Sequence, residues 1–201
     1  MPVDRAAAAR AIADFLKALG FDPAAHPDLA ETPARVSEAF ADDLLSGHAV
    51  DVRELIRMGS CEAPAAAKSG PVALTGIAVA TICPHHLLPA LGHASIVYLP
   101  GAMLLGIGTL TSLVDAFARR LTLQEAIAQN VVSALMEHAG ARGAYCELSL
   151  SHSCLRARGE RQSNALVHSS ARAGEFASTA AVPEIALALG RARAASEPST
   201  G

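Results

Sequence analysis

The spacing of apolar residues predicts helices in the first part of the chain. Residues 4–19 carry apolar side chains at helical intervals and precede a glycine, which predicts a helix that ends there. A second helix is expected with Thr32 as its N-cap, Pro33 in its first position and Gly47 after its end. Residues 59–71 contain several Gly, Ser and Pro residues and predict a loop.

The pattern then alternates between strand and helix. The segments "VALTGIAVATI" and "HASIVYLP" predict strands, and "TSLVDAFARRL" and "TLQEAIAQNVVSALMEHAG" predict helices. "AYCELSLSHSCLRARG" alternates apolar and polar residues and predicts a strand, with a short strand near "ALVHSS" and a last helix at "PEIALALGRARAA". This order predicts an α+β domain with antiparallel strands. We expect an N-terminal helical region at 1–58, a main domain at 59–195 and a disordered tail at 196–201.

Composition narrows the class of protein. The formal net charge of −3 gives no reason to expect nucleic-acid binding. No apolar run approaches the roughly 20 residues of a membrane span, and the N-terminus lacks the pattern of a signal peptide. Four cysteines would suffice for two disulfides in a secreted protein, but we expect a cytoplasmic protein whose cysteines are thiols or metal ligands.

Two separate segments together suggest a metal site. Cys83-x-x-His86 has a common zinc spacing, and strand alternation places Cys154 on the same face as His152. Three protein ligands with one open position are typical of catalytic zinc. Cys146 would lie roughly 26 Å from Cys154 along an extended strand and is a poor fourth ligand, whereas Cys61 stays a candidate. Spacing alone also allows a simpler interpretation, in which the thiols and histidines belong to an ordinary core.

Other polar residues allow two interpretations each. Glu125 completes a capping box with Thr122, or its carboxylate accepts two N–H groups from a guanine-like edge. Arg158 and Arg161 follow the candidate metal strand and could bind phosphate, or they form a solvated strand end. A zinc deaminase requires His-x-Glu and Pro-Cys-x-x-Cys, and the sequence contains no Cys-x-x-Cys.

The motifs resemble those of the GTP cyclohydrolase I family, in order and in spacing. "ETPARV" is similar to the family's Thr-Pro-x-Arg helix start, and "CPHH" to its Cys-Glu-His-His. "RRLTLQEAI" resembles its Gln-Glu segment, and "SHSCLRARGER" resembles its His-x-Cys strand with the following Arg-Gly. The resemblance extends from "ETPARV" to about Phe176.

The resemblance implies a tunnelling fold, in which an antiparallel sheet packs helices on one face, assembled as a homodecamer with active sites at subunit interfaces. It implies Zn²⁺ as the cofactor and a guanine-type small molecule as the substrate, whose imidazole ring is opened by hydrolysis. The implied roles are as follows: zinc ligands Cys83, His86 and Cys154; catalytic groups His85 and His152; guanine-binding residues Gln124 and Glu125; phosphate-binding residues Arg158, Arg161 and Arg35.

The chain departs from the family pattern at four positions. Pro84 replaces the family's Glu, and Gly108, Thr109 and Ser112 stand where a Ser, a Lys and an Arg contact the triphosphate. Losing two cations could weaken triphosphate binding by roughly 10²- to 10⁴-fold. We therefore expect a cyclohydrolase for a guanine derivative with fewer phosphates or none. The alternatives are an orthodox GTP cyclohydrolase I that makes dihydroneopterin triphosphate, and a non-catalytic zinc-binding decamer that serves as a scaffold or regulator.

Overall fold

A computed structural model describes residues 3–64, 70–159 and 161–196 of the chain. The chain divides between residues 46 and 47 into two compact units. The first contains α1 (Arg5–Ala18), a 3-10 turn (Pro27–Leu29), α2 (Thr32–Glu38) and a π-helical turn (Ala39–Leu44). The second contains α3 (Val52–Met58), β1 (Ser60–Glu62), β2 (Val72–Ile82), β3 (Pro89–Leu99), β4 (Met103–Leu105), α4 (Ile107–Ala118), α5 (Gln124–His138), β5 (Gly143–His152), α6 (Ser153–Arg156), β6 (Val167–Gly174), two 3-10 turns (Glu175–Ala177 and Thr179–Ala181) and α7 (Val182–Ser196).

The first unit is a pair of helical segments. The predicted helix over residues 4–19 is confirmed as α1, and Asp4 caps it by accepting a hydrogen bond from the first turn at 2.8 Å. The hydroxyl of Ser37 donates to the carbonyl of Arg5 at 2.8 Å, and Arg5 pairs with Asp42. These contacts join α1 to α2 and to the π-helical turn.

The second helix differs from its prediction at both ends. Thr32 is the first helical residue and not the N-cap, which is Glu31, and Pro33 lies in the first turn. Proline is tolerated there because its missing N–H would have no helical partner. The helical turns change to π geometry at Ala39, so the predicted single helix up to Gly47 is interrupted.

The second unit is built around a four-stranded antiparallel sheet in the order β2-β3-β5-β6. Along β5 the buried residues alternate with partly exposed ones, as the sequence predicts. Cys146, Leu148 and Leu150 face a core that α4 and α5 cover, with Leu113 and Ile127 among its fully buried residues. The predicted α+β class with an antiparallel sheet is confirmed.

The opposite face of the sheet carries α7 at one end. A second apolar cluster joins Val97 and Leu99 of β3 to Phe176 and to Ile185 and Leu189 of α7. Because successive strand residues point to opposite faces, Val97 and Leu99 point away from the face that α4 and α5 cover. Beyond this cluster the second face carries polar residues such as His93, Ser95 and Ser149, together with the exposed Leu91.

Three details of the predicted elements are corrected. β5 ends at His152 and is followed by α6, so the predicted strand through residue 159 is too long. Residues 60–62, predicted as part of a loop, form β1 and pair with β4. The helix predicted to begin after Thr122 begins at Gln124. Of the predicted tail, residues 197–201 lie outside the described residues.

The predicted boundary at residue 58 stays a prediction, although α3 belongs to the second compact unit. Among the helices that the structure describes, none combines the length and the apolar character needed to cross a membrane.

Candidate metal centre and catalytic cavity

A tight turn between β2 and β3 presents two adjacent histidines. The Cys83 N–H donates to the carbonyl of Leu88 at 3.0 Å, and the Leu87 N–H donates to the carbonyl of Cys83 at 2.9 Å. Leu87 has a φ of 53°, in the left-handed region that non-glycine residues rarely adopt. The turn places His85 beside His86, with ring centroids 6.4 Å apart.

Three atoms of the kind that bind metals converge beside this turn. The Sγ atoms of Cys83 and Cys154 and a ring nitrogen of His86 lie within 4.8 Å of one another. Tetrahedral zinc, with Zn–S near 2.3 Å, requires ligand atoms roughly 3.3–3.8 Å apart. Small side-chain rotations would therefore bring the three atoms to one ion. Two thiolates and an imidazole also suit zinc chemically, so the residues present fit this metal.

The other two cysteines lie outside this cluster. Cys61 is exposed on β1, and Cys146 is fully buried in the core beneath α5. Burial raises the pKa of the Cys146 thiol to about 12, so this thiol stays protonated and unreactive. The candidate ligand Cys154 lies in the first turn of α6 and not on β5. The predicted strand parity therefore holds for His152 but not for Cys154.

The Gln124 amide holds the imidazole of His152. Its nitrogen donates to the carbonyl of Leu148 at 3.3 Å and to the carbonyl of Val167 at 2.8 Å. Its oxygen lies 2.9 Å from Nε2 of His152. Because an amide oxygen only accepts, Nε2 of His152 donates to it, and Nδ1 is left to face a ligand.

This contact set differs from the substrate-binding role predicted for the Gln124 side chain. The amide nitrogen and the amide oxygen of Gln124 both form their hydrogen bonds with groups of this chain, and the residue is only 3% exposed. The amide therefore positions His152. Sequence reasoning missed this function because the two residues lie on different elements, α5 and β5.

One cavity contains most of the predicted site. It has a volume of ≈ 210 Å³ and lies between the histidine turn and the start of α5. Its lining includes all the predicted metal-binding, catalytic and guanine-binding residues: Cys83, His85, His86, Gln124, Glu125, His152 and Cys154. The fold thus brings together residues from β2, α5, β5 and α6.

Glu125 reaches this cavity from the first turn of α5. The predicted capping box is wrong, because Leu123 is the N-cap and no side chain caps the helix. A bridge between Ile82 and Leu121 holds the preceding segment alongside β2, so the helix begins later than the motif predicts. No described residue bonds the Glu125 carboxylate, which is exposed on the cavity wall.

The predicted arginines differ in their local contacts. Nη1 of Arg158 lies 2.8 Å from Nε2 of His86. A neutral imidazole accepts at one nitrogen only, so His86 bonds Arg158 or a metal ion, but not both. Arg161 is exposed and has a φ of 51°. Arg35 lies in the first unit, where it pairs with Glu31. Their roles in substrate binding stay predictions.

The residues that depart from the family pattern are accommodated locally. The hydroxyl of Thr109 donates to the carbonyl of Gly59 at 3.2 Å. A Cβ on Gly59 would lie 1.9 Å from that hydroxyl oxygen, so Thr109 fits only beside a glycine. Gly108 and Ser112 are exposed on α4. Pro84 lies in a turn whose two backbone hydrogen bonds use other donors, so its missing N–H costs neither bond.

Sequence reasoning also missed one polar residue of the cavity. Thr81 borders the cavity and is 3% exposed. Within the described residues, its hydroxyl oxygen is buried without a hydrogen-bond partner. Its place two residues before Cys83 on β2 was the signal that could have identified it.

Comparisons with known proteins agree with this geometry. A family described as GTP cyclohydrolase I matches residues 8–190. Proteins named GTP cyclohydrolase 1 are similar: that of Leifsonia xyli is 36% identical over 93% of this chain and 96% of its own length. That of Chromobacterium violaceum is 36% identical over 87% of this chain and 82% of its own length. That of Campylobacter lari is 32% identical over 83% of this chain and 85% of its own length.

A solved structure, the archaeosine synthase QueF-Like in the apo form, is more remote. It is 17% identical, covers 52% of this chain and 94% of its own, and has a TM-score of 0.44. This likeness is too weak to bear on function.

Proposed function

The chain belongs to the GTP cyclohydrolase I family, and from this premise we propose that it is a zinc-dependent cyclohydrolase that opens the imidazole ring of a guanine nucleotide or related purine. Its antiparallel sheet, with α4 and α5 on one face, is the tunnelling fold of that family. The observation that supports the proposal most directly is the cluster of Cys83, His86 and Cys154 in one cavity with His85 and His152.

The metal would be held by Cys83, His86 and Cys154. Zinc bound there supplies a Lewis acid that makes water nucleophilic at neutral pH. For this ligation the guanidinium of Arg158 leaves His86, since the imidazole has one lone pair to offer. Arg158 is then available for an anionic group of the substrate.

His152 is the general acid of the proposed reaction. Its imidazole donates a proton to the ring nitrogen that becomes the leaving group when the C–N bond breaks. Gln124 fixes the ring by accepting from Nε2, so Nδ1 is the atom that faces the substrate. An acid held in one orientation avoids the entropic cost of finding it during reaction. His85 lines the same cavity, and we assign it a contact with the reacting ring.

Glu125 recognises the pyrimidine side of the purine. Its carboxylate accepts from two adjacent N–H groups, a pattern that a guanine edge offers. The ordinary role of this residue in a capping box is excluded, because α5 has no side-chain cap. The side chain is therefore available at the cavity wall.

The substrate carries fewer phosphates than GTP, or none. The first turn of α4 has no cation, and Thr109 is engaged with Gly59. Arg158 and Arg161, which follow β5 in the second unit, are the cations that would hold a smaller anion. The names of the relatives favour the alternative, an orthodox GTP cyclohydrolase I that makes dihydroneopterin triphosphate.

The protein acts as a homo-oligomer, in the decameric form that the resemblance implies. Two observations support assembly. β2 and β6 each pair with one neighbour in the sheet and leave an edge for another chain. Apolar side chains are also exposed near the cavity, at Leu87, Leu121 and Leu123.

One experiment tests the proposal. The zinc-loaded protein is offered GTP, GMP, guanosine, guanine and 8-oxoguanine, and formate release and the ultraviolet change of ring opening are measured. Ring opening with GMP, guanosine or a free base, at a higher kcat/KM than with GTP, supports the proposal. Efficient formation of a dihydropterin from GTP supports the orthodox enzyme. A zinc-bound protein that turns over none of them contradicts both and favours a scaffold.

The assigned roles have a separate control. His152→Ala should abolish turnover and retain zinc, whereas His168→Ala, at an exposed position on β6, should change neither. Loss of zinc from His152→Ala would show that the assigned roles are wrong.

A further inference from the structure

Thr81 and His152 share one row of the sheet. In the strand register, Thr81 pairs with Ala90, and Ala90 pairs with His152. Residues paired across neighbouring strands point to the same face. With strands about 4.8 Å apart, the backbones of Thr81 and His152 lie roughly 10 Å from each other. Both residues line the same cavity, so a flat ring lying across this row contacts both side chains.

The buried hydroxyl of Thr81 has no hydrogen-bond partner among the described residues. The residue is 3% exposed, and its oxygen is one of two buried side-chain oxygens without a hydrogen bond in the described part of the chain. Buried hydroxyls are almost always hydrogen-bonded, because leaving one unpaired is costly. Valine has the same shape and would avoid this cost. The sequence has threonine at a position where stability alone favours an apolar residue.

We propose that the Thr81 hydroxyl binds the substrate, by donating a hydrogen bond to the nitrogen of the five-membered ring that carries no substituent, N7 of a purine. The inference rests on the function proposed above. Thr81 precedes the candidate ligand Cys83 by two residues, and it shares its row of the sheet with His152. The metal site and His152 are the two groups that act on the five-membered ring. Glu125 takes the other side of the purine, and N7 is the acceptor that the five-membered ring offers.

This contact strengthens during the reaction. When oxygen adds to C8, the C8–N7 double bond becomes single and negative charge develops on N7. A donor aimed at N7 stabilises that charge. The proton that Thr81 shares stays on its oxygen. When the C8–N9 bond breaks, its electron pair goes to N9, which takes the proton of His152, and the electron pair on N7 re-forms the C8–N7 double bond. The hydroxyl proton on C8 then moves to N7, which gives the formamide. Thr81 therefore lowers KM and raises kcat.

The test compares Thr81→Val with Thr81→Ser, which restores the hydroxyl. Thr75→Val, on the same strand outside the cavity, is the matched control. For the best substrate among GTP, GMP and guanosine, Thr81→Val should raise KM by about 3- to 10-fold and lower kcat, from the loss of one hydrogen bond. Thr81→Ser should recover most of both values, and Thr75→Val should match the wild type.

Binding of the corresponding 7-deaza compound, which has carbon in place of N7, identifies the contact. Thr81→Val should bind this compound as well as the wild type does, while it binds the natural compound more weakly. An equal loss for both compounds, or no loss for either, overturns the proposal. Both proposals fall if the wild type neither binds nor opens a guanine-type ring. If the wild type is active and Thr81→Val is equally active, only this inference fails.

Thermal unfolding gives a readout that does not depend on substrate. Removing an unpaired buried hydroxyl should raise the melting temperature of Thr81→Val by roughly 2–4 °C. A lower melting temperature would show that the hydroxyl already has a partner within the protein, which contradicts the proposal.

Discussion

Replacing Gln124 by methionine should damage both stability and catalysis. Methionine has a similar length and keeps the apolar contacts of the side chain, but it removes all three of its hydrogen bonds. The carbonyls of Leu148 and Val167 lose a donor, and Nε2 of His152 loses its acceptor. Leaving a buried polar group unpaired costs about 1–3 kcal/mol. Both carbonyls belong to paired strands, so we take the low end, about 3 kcal/mol in total.

The expected loss is measurable in two assays. In urea or thermal unfolding, about 3 kcal/mol corresponds to a fall in melting temperature of roughly 6–12 °C for a chain of this size. In turnover, an acid that is no longer oriented should lower kcat by at least about tenfold, since general acids contribute 10²- to 10⁴-fold. The matched control is Gln129→Met, on an exposed position of the same helix, where we expect a change within about 0.5 kcal/mol.

A second variant separates the two effects. Gln124→Glu keeps an acceptor for His152 but loses both donors to the carbonyls. It should therefore retain more of kcat than Gln124→Met, although its stability is also reduced. The reasoning is refuted if Gln124→Met unfolds like the wild type and retains its kcat.

Three further predictions follow from single features. In a thiol titration at pH 8, the zinc-loaded protein should react quickly only at Cys61, and removal of the zinc by a chelator should make Cys83 and Cys154 reactive as well. Cys146 should react only when the protein unfolds, and a fast reaction of Cys146 in the folded protein would contradict its burial. Leu87→Gly should raise the free energy of unfolding by about 1 kcal/mol, because glycine adopts a positive φ without strain, and a destabilised variant would refute this. Burial and the carboxylate of Glu147 raise the pKa of Tyr145 to about 12, above its ordinary value of 10. The folded state thus keeps this proton longer than the unfolded state, so its stability contribution is present below pH 10 and is lost as pH rises toward 12. Urea unfolding at pH 9 and 11 should show a larger loss for the wild type than for Tyr145→Phe.

The sequence pattern predicted α1 and the buried side of β5 correctly, because residues within each element determine them. Residues 4–19 carry a helical apolar period and precede Gly20, and α1 forms there. The alternation from Cys146 to His152 predicted which side of β5 is buried. Each of these signals lies within one element, so it can be read without knowing the neighbouring elements.

The errors occur where pairing with a distant segment determines the secondary structure. β5 ends at His152 because its last pairing partner on β3 is Ala90, next to the proline that begins that strand. The alternating pattern continues beyond His152, but it has no strand to pair with. Similarly, the bridge from Ile82 to Leu121 overrides the capping box. β1 has three residues and pairs with a segment far along the chain, so it leaves no periodic signal.

The short α6 has a consequence for the order in which the site assembles. Four residues cannot form a stable helix alone, because helix nucleation is unfavourable. The sheet fixes His152, and the turn after β2 fixes Cys83 and His86, but the segment with Cys154 has little local stability of its own. Its amides should exchange with solvent more readily than those of β5. Metal uptake would then proceed in steps, with capture by the turn first and docking of Cys154 last, so that closing the site is itself a small folding event.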